Sequence, residues 1–357
     1  LMSEIEISPL DIPVVVAPDG SDDFTVANTL RNSTDEIVAL YAELAYDAAV
    51  EIGVWQPSEF AERTMLVARD NDRIVGRGDY ETHVGEEADT AWINAFVHPD
   101  YRHRGIGSRL LAGLETIAAD AGKRKVHVYV PILPRDGALL AAPTGYGAVP
   151  RDGAGVQFLQ KHGYSFEQVE RVSRLALPVP GLRSLVDDAI ARCSRDYAVH
   201  EWVGSCPEQW REDLALLYTR MSTDEPSAGL EPPEDVWTVE RLMEHERRLA
   251  SSTVTTVYAA IEHVESGELV AYTALTVPEQ LELAVIQDNT IVVSEHRGHR
   301  LGNLLKVLNL AHLERVTPGH PSVVTYNAEE NRHMLSVNEA VGFEPIGYES
   351  AWKKELR

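Results

Sequence analysis

The chain repeats itself, and that repeat limits its fold more than any other feature. Residues 96–114, FVHPDYRHRGIGSRLLAGL, and residues 291–309, IVVSEHRGHRLGNLLKVLN, share one order: an apolar run, a basic turn, an amphipathic helix. Arg102 and Arg297 stand 195 positions apart (297 − 102), as do Gly107 and Gly302 (302 − 107). ARDNDRIVG around Asp72 and IEHVESGELVA around Gly267 keep that offset, and both read as hairpins with a polar turn between β-rich runs. Downstream, Gly163 of HGY and Gly342 of VGF are only 179 apart, so the first copy holds 16 extra residues (195 − 179). A duplication explains this economically, and each copy is large enough to be a domain. The expected units are 1–180 and 181–357.

A strand, a glycine-containing basic turn and a helix start point backbone N–H groups and the positive end of a helix dipole at one spot. Such a spot suits phosphate. In the first copy the turn is Arg102, His103, Arg104, Gly105, Ile106, Gly107 and Ser108. Gly105 and Gly107 allow close backbone approach, and the arginines add charge-assisted bonds. The second copy has Arg297, Gly298, His299, Arg300, Leu301, Gly302 and Asn303, with Arg300 where Gly105 stands in the first. One such turn alone would pass for an ordinary strand–helix connection. Its repetition raises it above that.

The pattern Arg-x-x-Gly-x-Gly after a strand, closed by a helix ending in Gly-aromatic (Gly163–Tyr164, Gly342–Phe343), resembles the GNAT acyltransferase superfamily. The resemblance covers nearly the whole chain, in a layout similar to mycothiol synthase and actinobacterial tandem acetyltransferases. It implies an α/β chain of two tandem GNAT-like domains, each a mixed, mostly antiparallel sheet flanked by helices. It implies acetyl-CoA as cofactor, with its pyrophosphate at the turns and its thioester beside Phe96 and Val97 or Ile291 and Val292. Asn327 and Asn331 resemble asparagines that contact the CoA arm, and could equally N-cap the last helix. Many members carry a tyrosine acid four residues before the terminal glycine. That place is Leu159 in one copy and Asn338 in the other, and neither can do a tyrosine's job.

Acetyl transfer to an amine also needs a group that takes the proton of an ammonium with a pKa near ~10. Asp288 on LAVIQDNTIVV is the candidate base, with Asn289 and Asn327 as polar positioning groups. Asp288 could instead bridge a bulge. Asn94 and His127 are the polar residues on apolar strands of the first copy. Both copies are expected to bind CoA, and the second to run the reaction. The expected activity is an acetyl-CoA-dependent N-acetyltransferase acting on the primary amine of a small cationic metabolite or antibiotic. The alternatives are a mycothiol-synthase-like acetyltransferase and a non-catalytic acetyl-CoA-binding protein.

A net charge of −24 argues against nucleic acid and anionic membrane as partners and favours a cationic acceptor. Asp224, Glu225, Glu231, Glu234 and Asp235 form an acidic stretch that could hold an ammonium or simply face solvent. Cys193 and Cys206 lack zinc-ligand spacing and form no disulfide framework, so no metal and a cytoplasmic setting are expected. No apolar run reaches membrane-spanning length and no signal pattern opens the chain, which is expected to be a monomer or homodimer. Residues 11–33 read as a β-rich opening, and Ser33 with Glu36 as a capping box for a helix through EIVALYAELAYDAA. The Pro- and Gly-rich stretch 131–151 contains the extra residues and reads as a loop, either shaping a substrate site or passive.

Overall fold

A computed structural model of the protein describes residues 5–35, 38, 44–45, 47–85, 88–133 and 135–356. The first half runs β1 (Ile5–Pro9), α1 (Asp23–Asn32), α2 (Ala48–Trp55), β2 (Ala61–Asp70), β3 (Arg73–His83), β4 (Thr90–Val97) and α3 (Ile106–Asp120). It continues through β5 (Lys125–Pro131), β6 (Leu139–Ala141), β7 (Ala148–Pro150), α4 (Ala154–Lys161) and β8 (Ser165–Ala176). The second half opens with α5 (Leu182–Ala191), β9 (Tyr197–Val203), α6 (Arg211–Asp224), α7 (Val239–Ala250), β10 (Val254–His263) and β11 (Glu268–Pro278). It ends with β12 (Val285–Val292), α8 (Leu301–Val316), β13 (Ser322–Ala328), α9 (Arg332–Val341) and β14 (Glu344–Glu355).

Two local expectations are corrected. The opening is helical, not β-rich, across α1. Asp22 caps this helix by accepting from the Thr25 amide at 2.8 Å, while Phe24, Ala27 and Leu30 recur at helical spacing and bury together. Stretch 131–151 is not a bare loop, because β6 and β7 pair as a hairpin and Val149 joins the first core. Ser33 ends α1 rather than starting a helix. Glu36 and most of EIVALYAELAYDAA lie outside the described residues.

The long strands form one twelve-stranded sheet in the order β1-β2-β3-β4-β5-β14-β8-β13-β12-β11-β10-β9. Its centre is an exchange. The last strand of the second half, β14, pairs with β5 of the first, and the last strand of the first half, β8, pairs with β13 of the second. The two exchanged strands pair with each other. Neither half completes its own sheet. On β8, Arg171 is buried and donates to Glu329 at 2.7 and 2.6 Å and to Glu339 at 2.8 Å, fastening the exchanged strand to the second half.

The parallel pairs are short. β4 pairs with β5 only across Thr90–Trp92, and β12 with β13 only at Val285 and Ile286. Beyond those residues both ladders stop, leaving one edge of β4 and of β12 unpaired just before each turn. Among the described residues no helix is long and apolar enough to cross a membrane.

Candidate active site

The two turns share a backbone that their sequences disguise. In the first, His103 (φ 62°) and Gly105 (φ 78°) are left-handed; in the second, the equivalent positions Gly298 (φ 86°) and Arg300 (φ 62°) are. The glycine has moved from one left-handed position to the other. Each turn therefore keeps one non-glycine residue in a conformation costing roughly 1–2 kcal/mol. Gly105 and Arg300 cap α3 and α8 without a side-chain bond, so the first helical N–H groups stay free for an anion.

What surrounds the turns differs. A methyl group at Gly107 would stand 3.6 Å from the Phe158 ring and 3.6 Å from Val97. His162, one turn further along α4, bonds the Ser108 hydroxyl at 2.9 Å. Asn94, with its amide turned so that nitrogen donates, reaches the Tyr129 carbonyl at 3.0 Å and ties β4 to β5. Arg102 is bonded to Asp35 at 3.0 Å, and Arg104 donates to the Asp100 carbonyl at 2.9 Å and lies over the Tyr101 ring. Phe96 packs into the cluster under α1. Phe158, Val97 and His162 thus stand close around the first turn.

At Gly302 the nearest atom to such a methyl is a Val292 carbon at 4.0 Å. A cavity of 850 Å³ opens there, lined by Ile291, Val292, Arg297, Gly298, Arg300, Leu301, Gly302 and Asn303, with Asn331 and Val337 opposite. It thus gathers most of the residues the sequence assigned to the second turn. His299 is absent from that lining and sits against the Tyr197 ring instead. Arg297 donates to the Val292 carbonyl at 3.0 Å and pairs with Asp224 at 2.5 Å. Asn331 accepts from the Met334 amide at 3.3 Å, so it caps α9 while facing the cavity. These free amides, the unpaired β12 edge and the apolar wall fit the pyrophosphate and arm of acetyl-CoA.

A second cavity of 600 Å³ adjoins the first, with Met221, Glu225, Pro226 and Asn331 common to both. Its polar residues include Glu170, Asp288, Asn289 and Asn327, and Tyr218, Trp237 and Tyr326 supply aromatic surface. Asp288 arrives there through a bulge. β11 residues Thr273 and Leu275 face Thr290 and Gln287, so Asp288 and Asn289 together oppose the single residue Ala274. In the first half, β3 and β4 run without interruption from Gly76↔Val97 to Thr82↔Ala91. β4 and β12 are equally long and keep the 195-residue offset, so the bulge is a shift of register within β12, not an added residue, and it presents a carboxylate to the cavity.

Asp288 is exposed to the cavity, while the protein around that cavity displaces bulk water from its carboxylate. That loss of bulk water pushes its pKa up to about 6, against the opposing bond donated by the Thr276 hydroxyl. Burial pulls His245, at the cavity edge, down to about 4, with help from the charges of Arg248, Arg241 and Arg63, so it is neutral at pH 7. Asn338 is buried behind Asn327 and donates to it at 2.7 Å, which makes it a positioning group and not an acid. Leu159 lies in the first core.

Family and structure comparisons agree with this geometry. Residues 34–135 match the family model for the acetyltransferase (GNAT) family. A tandem GNAT protein from the clavulanic acid biosynthesis pathway superposes with a TM-score of 0.70 at 23% identity, covering 99% of this chain and 98% of its own. The fold is a tandem GNAT fold. A GCN5-related N-acetyltransferase from Sphaerobacter thermophilus gives a TM-score of 0.60 at 14% identity, covering 99% of this chain and 96% of that one. No curated protein matches the sequence.

Within this GNAT fold the acidic stretch divides. Burial opposes ionisation of Asp235, but bonds from His83 and Arg241 outweigh it and hold the carboxyl at about 2. Arg241 sits 2.6 Å away, so Asp235 is already paired. Glu231 lies 3.6 Å from Lys353, and Glu234 borders a separate groove with Lys123 and Arg124. Neither Glu231 nor Glu234 lines the two cavities, which favours the solvent-facing reading for these two residues. Of the stretch, Glu225 faces both cavities. Sequence reasoning missed Glu170, although one signal was present: Glu170 and Glu349 each stand seven residues after their terminal glycines, Gly163 and Gly342.

Proposed function

We propose that the chain is an acetyl-CoA-dependent N-acetyltransferase in which unit 181–357, completed by β8 of unit 1–180, acetylates the primary amine of a small cationic acceptor. The observation that carries this reading is Asp288, a residue at a β-bulge facing a cavity that joins the cleft at the second turn. Acetyl-CoA supplies an acetyl carbon whose bond to sulfur is exchanged for a bond to the amine nitrogen, with CoA leaving as the thiol. The amides at the start of α8, with Arg300, hold the pyrophosphate, and the unpaired edge of β12 orders the arm. Asp288 takes up the proton that the ammonium loses; an acid near pH 6 is ionised and able to accept at neutral pH. Asn289 and Asn327, the latter fixed by Asn338, orient the amine.

The test is thiol release by the full chain with acetyl-CoA and a panel of primary amines. Amine-dependent release that follows saturation kinetics is expected. CoA binding with no release on any amine would replace this reading with that of a non-catalytic acetyl-CoA-binding protein.

A further inference from the structure

The strand exchange brings a carboxylate from the first half into the acceptor cavity of the second. Glu170 on β8 lies beside Ala328 of β13 on one side and opposite Glu349 of β14 on the other. Glu170 and Glu349 are equivalent residues of the two copies, so the axis relating the exchanged strands runs between two carboxylates. Like charges directly opposite on antiparallel strands repel. Glu225 at the end of α6, Glu330 after β13 and Tyr129 of β5 also face Glu170. Among the described residues, no cation or hydrogen-bond donor contacts the Glu170 carboxylate. Asp235 is paired with Arg241 and Asp224 with Arg297, whereas among the described residues Glu170 and the neighbouring Glu225 have no such partner.

We infer that Glu170 is a specificity residue of the second unit: it binds a second cationic group of an acceptor that offers its reacting amine to Asp288. The inference rests on the acetyltransferase reading above for the role of Asp288. β8 lies two strands from β12, and at about 4.8 Å per strand the two carboxylates are on the order of 10 Å apart. The acceptor class is therefore an elongated diamine or polyamine. Tyr218, Trp237 and Tyr326 wall the space between, a surface that suits methylenes and ammonium groups together. Burial first, then the charges of Glu349, Glu225 and Glu330, raise Glu170 to about 8, so in the free protein it is largely protonated at pH 7. A cation reaching it displaces that proton.

The experiment is calorimetric titration of the full chain at pH 7 with 1,8-diaminooctane and with octylamine, in two buffers of different ionisation enthalpy. The native protein is expected to bind the diamine at least about tenfold more tightly than the monoamine. It should also release protons on binding the diamine. Glu170→Gln should lose both the preference and the proton release. Glu349→Gln, which relieves the repulsion, should keep the preference while releasing fewer protons. A diamine preference that survives Glu170→Gln, or no preference in the native protein, overturns the inference. Because titration needs no turnover, Glu170-dependent diamine binding without thiol release would overturn the acetyltransferase reading alone.

Discussion

The two turns have the same backbone and opposite surroundings. Both place left-handed residues at equivalent positions and leave helix amides uncapped. In the first, Phe158 and Val97 stand 3.6 Å from where a Gly107 methyl would be and His162 bonds Ser108; in the second, Val337 and Gly302 line a cavity of 850 Å³. The neighbouring strands differ in the same sense, regular β4 against bulged β12. A phosphate-binding motif is thus a statement about backbone, and whether anything can reach it depends on side chains far away in sequence. This contrast supports the proposal that the second unit runs the reaction, with the first as the partner that completes its sheet.

The sharpest way to break that comparison is at the bulge. Asp288→Asn should lower kcat by about 10²–10⁴-fold, the usual contribution of a positioned general base. It should also abolish an acidic limb: with Asp288 near 6, kcat/KM of the native enzyme should fall as pH drops through about 6, because only the ionised form accepts a proton. Rates measured by thiol release from pH 5 to 8 decide this. A retained limb in the variant would assign the base elsewhere.

The exchange comes next. Arg171→Met removes both short bonds to the buried Glu329, leaving it only Arg332 at 3.2 Å, and should destabilise the chain by about 3 kcal/mol in urea unfolding. Its equivalent on β14 is Ser350, which meets only the Val130 carbonyl and Trp352, so Ser350→Ala should cost about 1 kcal/mol. Equal losses would mean the two exchanged strands are held alike.

Glycine substitutions sharpen the contrast between the clefts. Gly302→Val should raise KM for acetyl-CoA by about tenfold or more, by filling the open approach. Gly107→Val should instead press on Phe158 and Val97, lowering Tm while leaving that KM nearly unchanged. If Gly107→Val raises KM for acetyl-CoA, the first turn takes part in binding.

The smallest effect tests the shared backbone. Nothing lies near the missing side chain of Gly105, so Gly105→Ala should cost only the left-handed strain, about 1 kcal/mol. Arg300→Ala already has that strain in the parent and should change stability by under about 0.5 kcal/mol. Thermal unfolding of the two variants side by side would show whether the turns are equivalent.

Much of this protein was legible in its residues. The 195-residue offset announced two equivalent units, and the turns, hairpins and motif helices fell where local patterns put them. These features depend on interactions close along the chain, which sequence records directly. Asp288 was visible as a polar residue on an apolar strand. A bulge there was one of two readings, and only the register of β11 against β12 decides it, because a bulge is a mismatch between two strands. Helix α1 was read as part of a β-rich opening that includes the run Val14–Val16, while burial of Phe24, Ala27 and Leu30 decided otherwise. The exchange of β8 and β14 could not be read at all: both strands pair with partners more than a hundred residues away, and either unit could have used its own. That choice carries Glu170 to the cavity that Asp288 faces. Sequence determined what each strand and turn could be, and the tertiary structure decided which half each one serves, since pairing is a property of two segments and not of one.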